Sequence, residues 1–356
     1  MKAVVLVGGE GTRLRPLTFT TPKQMLPVAE VTVIERVLER LASHGVTEAV
    51  LSLGYQPDAF LTAFPDDRAA GVDLSYAIDP EPLDTAGAVS FAARAVDIDS
   101  TFVVVNGDVL TDQDVSALVD FHRGRGAAAT IALTRVDDPS RYGVVAVDEK
   151  GRVQAFVEKP APATAPSDLI NAGTYVLEPS VLDRIPEGRS SIERLVFPAM
   201  VADRCLFAMS SPAYWIDVGT PATYLQAQLD LLDGVRGTPP APGVTDIGDG
   251  VWTIGTPVVD GEVAAPSLIG DAAFVAEGAR VEHSVVGAGA RVDRGAVVRD
   301  TVLLPGALVR ADAVIERSIV GERAVVGEGT RLSDLSVVGG GATVDGGQQL
   351  VGTKLQ

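Results

Sequence analysis

Apolar positions along this chain change their period once. From residue 1 to about 235, short apolar runs alternate with segments in which apolar residues recur every three or four positions. The runs at 2–7, 48–53 (EAVLSL), 73–78 and 101–106 (TFVVVN) predict β-strands. Between them, 33–44 (VIERVLERLASH), 85–94 and 114–123 predict amphipathic helices, the first closed by Gly45 as a C-cap. Such alternation predicts an α/β fold on a mostly parallel sheet covered on both faces. Ligands of these sheets bind at the carboxyl ends of the strands.

Residues 236–250 (RGTPPAPGVTDIGDG) carry proline and glycine at linker density. Beyond them the period becomes six. Val314, Val320, Val326, Leu332, Val338 and Val344 follow it, with Gly321, Gly327 and Gly339 each one residue behind. An earlier register holds Val286, Val292, Val298 and Leu304, preceded by Ile269, Val275 and Val281. Six-residue repeats of aliphatic residues predict a parallel β-helix, in which each turn stacks its side chains on the next. The expected division is therefore a domain at 1–235, a linker at 236–250 and a β-helix at 251–356.

Composition narrows the function. At 356 residues and 46% hydrophobic content the chain suits two domains with real cores. Its first apolar segment is too short for a signal peptide and no run approaches a membrane span, so a cytoplasmic location is expected. Cys205 is the single cysteine, which excludes an internal disulfide framework. His44, His122 and His283 are too dispersed to suggest a zinc site. A net charge of −18 argues against a nucleic-acid polymer or an anionic membrane as partner. A small phosphorylated ligand needs only a few local cations, and two of the five lysines, Lys23 and Lys159, fall within motifs.

The first of these motifs is GGEGTRLRPLTFTTPK at 8–23, directly after the first predicted strand. It matches neither the Walker A pattern nor GxGxxG, because Leu14 occupies the third glycine position. The chemistry is still that of an anion site. Gly8, Gly9 and Gly11 let backbone N–H groups approach closely, while Arg13 and Lys23 can neutralise phosphate oxygens.

At this motif the chain resembles the sugar-1-phosphate nucleotidyltransferases, and one branch of that family appends a left-handed hexapeptide β-helix. Within the family it is most similar to the bacterial guanylyltransferases that use mannose 1-phosphate. The resemblance implies a Rossmann-like catalytic domain, a left-handed parallel β-helix, and attack of a sugar 1-phosphate on the α-phosphorus of a nucleoside triphosphate. Because the nucleophile is already an anion, the protein has to supply alignment and positive charge.

Further residues take roles by the same resemblance. Asp108, after TFVVVNG, and Asp217, in YWIDVGTPATYL, would hold Mg²⁺. Leu6, Gly8, Gly9, Gly11, Thr12, Arg13 and Lys23 would bind the nucleotide. Thr85 and Gly87 match the family segment EPLGTAG, whereas Asp84 stands where glycine is usual. Glu81 could accept from both N1–H and the amine of guanine, which favours GTP. In VEKP, Glu158 would accept from sugar hydroxyls and Lys159 would grip the sugar phosphate; Asn171 of NAG would reach another hydroxyl, and Gly143 of RYGVV matches a sugar-contacting position. Arg141 and Tyr142 are read as loop packing. Arg13, Lys23, Asp108, Lys159 and Asp217 form the expected catalytic set.

Alternatives remain open at this level. A glucose-1-phosphate thymidylyl- or uridylyltransferase shares these motifs. A non-catalytic regulatory subunit shares the architecture, but the charged set is complete here. An acyltransferase β-helix would need a histidine base, and His283 reads as a turn residue. A homo-oligomer is expected from the β-helix.

Overall fold

The computed structural model describes every residue except Asp249, which lies in the predicted linker outside the described residues, and the side chain of Pro162. The chain divides into two compact units: Met1–Gly9 with Ile34–Trp215, and Glu10–Val33 with Ile216–Gln356.

The first unit is a ten-stranded sheet. Its central strand is Lys2–Leu6, paired in parallel with Glu48–Leu53 on one side and Phe102–Asn106 on the other. Val72–Ile78 extends the parallel part beyond Glu48–Leu53. These four strands lie where the apolar runs place them, and helices Val33–Ser43, Asp84–Ala95 and Val115–Arg125 fall at the predicted stretches. Asp114 caps the last of these by accepting from the Ala117 N–H at 2.9 Å.

Past Phe102–Asn106 the sheet differs from a mostly parallel one. Leu169–Leu177 pairs antiparallel with Phe102–Asn106, and Gly143–Val147 and Val153–Glu158 form an antiparallel pair at that edge. The result is a mixed Rossmann-like sheet. The reason lies in connection length: 148–152 is too short for a helical crossover, so the chain can only reverse. Val4, Val104, Ile131, Tyr175 and Phe197 are among the fully buried residues of one continuous core.

In the second unit three parallel ladders wind into the expected left-handed type of hexapeptide β-helix. Ile269, Val275, Val281, Val286, Val292 and Val298 point inward as predicted. Two predicted positions are corrected. Val314 is only half-buried while its neighbour Ile315 fills the core, and Leu303, not Leu304, stacks between Val286 and Val320. A coil is not three equal steps of six, because one corner of most coils is a residue shorter. Equivalent residues are then seventeen apart, as in the buried hydroxyl ladder: Thr301 N–H donates to Ser284 Oγ, and Ser318 N–H to Thr301 Oγ1. At the short corner His283, Asp300 and Arg317 take left-handed φ of 43°, 47° and 44°. His283 is thus a turn residue, its Nδ1 2.6 Å from Asp300 Oδ1.

The end of the predicted linker already belongs to this unit, since Thr245–Asp246 pairs antiparallel with Val251–Thr253. No described helix is long and apolar enough to cross a membrane.

Candidate active site

Strand order reverses at Lys2–Leu6, whose neighbours lead away in opposite directions along the sheet, and this creates a crevice at the carboxyl ends. Leu6 is in register with Asn106, and Gly107 N–H donates to Leu6 O at 2.9 Å. The loop bearing Gly8 and Gly9 and the turn bearing Asp108 therefore leave the sheet side by side. The NAG motif joins them. Asn171 and Gly173 form a β-bulge in Leu169–Leu177, and a Cβ on Gly173 would stand 2.6 Å from Asn106 Nδ2.

Asn171 spends much of its amide on that bulge. Its Oδ1 accepts from Gly173 N–H at 2.9 Å and its Nδ2 donates to Tyr175 Oη at 2.8 Å. The bulge is also pinned by Trp215, whose Nε1 donates to Ala172 O at 2.9 Å. Trp215 meets Tyr142 edge-on with centroids 5.6 Å apart, so Tyr142 packs as expected.

Gly143 pairs with Glu158 across the edge strands. The Glu158 carboxylate is mostly buried and lies 3.3 Å from the exposed Lys159 ammonium. Lys159 has a left-handed φ of 48°, and its N–H donates to Tyr142 O at 2.9 Å. A lysine held in this region is strained, and such strain collects at functional sites.

The EPLDTAG segment is held by hydrogen bonds of its own. Asp84 does adopt the positive φ, 59°, that glycine would favour, and its carboxylate accepts from Thr85 N–H at 2.8 Å. The Thr85 hydroxyl donates to Glu193 Oε2 at 2.6 Å and accepts from Ile192 N–H at 2.9 Å. Gly87 permits helix packing, because a Cβ there would collide with the Gly188 carbonyl. Glu81 is exposed.

Asp79 escaped the sequence reading. It follows Val72–Ile78, and the position a Gly8 Cβ would take is 3.7 Å from its Oδ2. Burial pushes its pKa up to about 6, against 3.8 ordinarily, although Ser52 Oγ donates to it at 3.3 Å. Only its place at a strand's carboxyl end could have signalled it. The native state binds the Asp79 proton more tightly than the unfolded chain does. This contribution to stability is complete below pH 3.8 and is lost as pH rises through about 6. Asp79→Asn is therefore expected to raise the melting temperature more at pH 8 than at pH 5, as thermal denaturation at the two values will test.

In the second unit, Gly11 takes a φ of 62° and leads into the turn Thr12–Leu14. A Gly11 Cβ would meet Lys23 Cβ at 3.2 Å, so Lys23 flanks this turn. Asp217 Oδ1 accepts from Gly219 N–H at 2.8 Å, and its Oδ2 stands 3.8 Å from Arg13 Nη2. Helix Pro221–Leu232 secures the segment behind: Gln228 Nε2 donates to Pro27 O at 2.8 Å and its Oε1 accepts from Ala29 N–H at 2.7 Å. Among the described residues no three His, Cys, Asp or Glu side chains are grouped to hold a metal ion. Asp108, in the first unit, and Asp217, in the second, each carry hard oxygen donors of the kind magnesium takes.

Residues 2–234 match the Nucleotidyl transferase family, and 263–354 match the GMPPB C-terminal domain. The chain is 42% identical over 293 residues to a mannose-1-phosphate guanylyltransferase of Mycobacterium tuberculosis, covering 79% of this chain and 81% of the relative. A probable mannose-1-phosphate guanylyltransferase 1 of Oryza sativa is 38% identical, covering 95% and 91%. The structure of HddC from Yersinia pseudotuberculosis complexed with GMP-PN superposes with a TM-score of 0.55 at 30% identity, covering 64% of this chain and 97% of that one. With the family match running through the switch-point strands and their glycine loop, the chain belongs to the nucleotidyl transferase family.

Proposed function

We propose that the protein transfers a guanylyl group from GTP to mannose 1-phosphate, forming GDP-mannose and releasing pyrophosphate. The observation that carries this reading is the register of Leu6 with Asn106, which sets the glycine loop beside the Asp108 turn at the switch point of a nucleotidyl transferase sheet. The names of the relatives support the substrates.

In this reading residues 1–235 are the catalytic domain and 251–356 an appended β-helix. Backbone N–H groups of Gly8, Gly9 and Gly11, with Arg13 and Lys23, bind the triphosphate. Glu158 orients the sugar through its hydroxyls, and Lys159 holds the sugar phosphate. Its oxygen attacks the α-phosphorus and pyrophosphate departs, so no bond to the protein forms. Asp108 and Asp217 would hold Mg²⁺, which would supply positive charge against the phosphates. Fixed cations thus offset the repulsion between two anionic reactants.

The decisive assay measures pyrophosphate release with GTP, dTTP, UTP and ATP, each paired with mannose 1-phosphate and glucose 1-phosphate. GTP with mannose 1-phosphate is expected to give the highest kcat/KM. A preference for dTTP or UTP overturns the guanylyl assignment. We also propose a homo-oligomer, which light scattering at micromolar concentration tests.

A further inference from the structure

The segment Glu10–Val33 carries Arg13 and Lys23, yet it is compact with the β-helix. Contacts at both of its ends explain this. Glu30 Oε2 accepts from Ala288 N–H at 2.9 Å, and the Gly270 coil leaves room for it, since a Cβ there would lie 2.9 Å from the same oxygen. Burial raises the Glu30 pKa, as expected for a carboxylate seated against a coil. Near the other end, a Cβ on Gly339 would come within 3.0 Å of Pro16 Cβ, and one on Gly340 within 3.4 Å of Thr20 Oγ1. Lys354 Nζ donates to Arg13 O at 3.1 Å.

The last contact bears on chemistry. The turn Thr12–Leu14 closes with Leu14 N–H on Gly11 O and Arg15 N–H on Thr12 O. The next carbonyl along, that of Arg13, is taken by Lys354 of the β-helix strand Lys354–Leu355. Holding this peptide sets where the Arg13 side chain departs.

We propose that the β-helix is a positioning element for the phosphate loop, with Lys354 the positioning residue that aligns Arg13. This rests on the reading of Arg13 as a triphosphate ligand. Misplacement by about 1 Å can cost on the order of 10²-fold in rate, and loss of one exposed hydrogen bond should cost less, about tenfold.

The test uses the full-length chain and four variants: Lys354→Met, Lys354→Arg, Arg13→Ala and the Lys354→Met/Arg13→Ala double. Methionine keeps most of the aliphatic stem and deletes the ammonium. Pyrophosphate release gives kcat and KM for each substrate, using the triphosphate preferred in the panel, and melting temperature is followed in parallel. Lys354→Met is expected to lower kcat/KM for the triphosphate about tenfold while the KM for sugar 1-phosphate and the melting temperature stay in place. Lys354→Arg should restore most of the loss, and the double variant should be no worse than Arg13→Ala alone. The inference is overturned if Arg13→Ala is impaired but Lys354→Met is not, if both substrates suffer equally, or if the two losses add. Wild-type kinetics in Arg13→Ala would overturn the phosphate-ligand reading itself, and the inference with it.

Discussion

Asp108→Asn and Asp217→Asn are each expected to lower turnover by about 10²–10³, the usual loss when one preorganised electrostatic element is removed. Asparagine is nearly isosteric, so the Gly219 N–H that donates to Asp217 Oδ1 keeps an acceptor, and what disappears is charge. Arg13, 3.8 Å from the same carboxylate, then faces a neutral amide. Single-turnover pyrophosphate release across a magnesium titration separates the causes. A metal-binding role predicts that the magnesium needed for half-maximal rate rises in both variants. If turnover falls at an unchanged magnesium requirement, the metal assignment of these two residues is wrong.

Gly143→Val is expected to raise the KM for sugar 1-phosphate by about 10–100-fold. A Cβ at residue 143 would lie 2.7 Å from Phe156 Cζ and 3.0 Å from Glu158 Oε2. Phe156 cannot yield, being a core residue packed on Phe197 with centroids 5.4 Å apart. The strand at residue 143 must therefore shift, displacing its cross-strand partner Glu158 and, 3.3 Å from it, Lys159. Overpacking should also cost about 1–3 kcal/mol of stability in denaturant titration. The triphosphate KM should hold within about twofold, since only the sugar side is displaced. A variant that loses stability but keeps the sugar-phosphate KM would remove Glu158 from the site.

Much of the fold was legible because its signals are local. The run at 2–7 and the helical stretch at 33–44 state their periods within a dozen residues, and they appear as Lys2–Leu6 and Val33–Ser43. The six-residue spacing announced the β-helix in the same way. Its limit was arithmetic: Val314 and Leu304 satisfy six, but a shorter corner places Ile315 and Leu303 inside. The edge strands Gly143–Val147 and Val153–Glu158 made no use of a helical crossover, which is why the sheet is mixed.

Side-chain commitments were less legible, because the partner is far away in sequence. Thr85 gives no local sign that its hydroxyl donates to Glu193, 108 residues on. Asn171 likewise gives no local sign of the bulge from whose Gly173 N–H its Oδ1 accepts. Asp79 carries no motif at all, and its raised pKa comes only from burial beside Gly8.

By itself the sequence determined the strands and helices around the nucleotide crevice in outline, the β-helix, and the inventory of cations and carboxylates, since periodicity and residue chemistry are properties of neighbours along the chain. Tertiary structure alone decided that residues 10–33 fold with the β-helix. Gln228, Ala288 and Lys354 grip that segment through contacts spanning 199 to 341 positions, a distance at which no local pattern carries information.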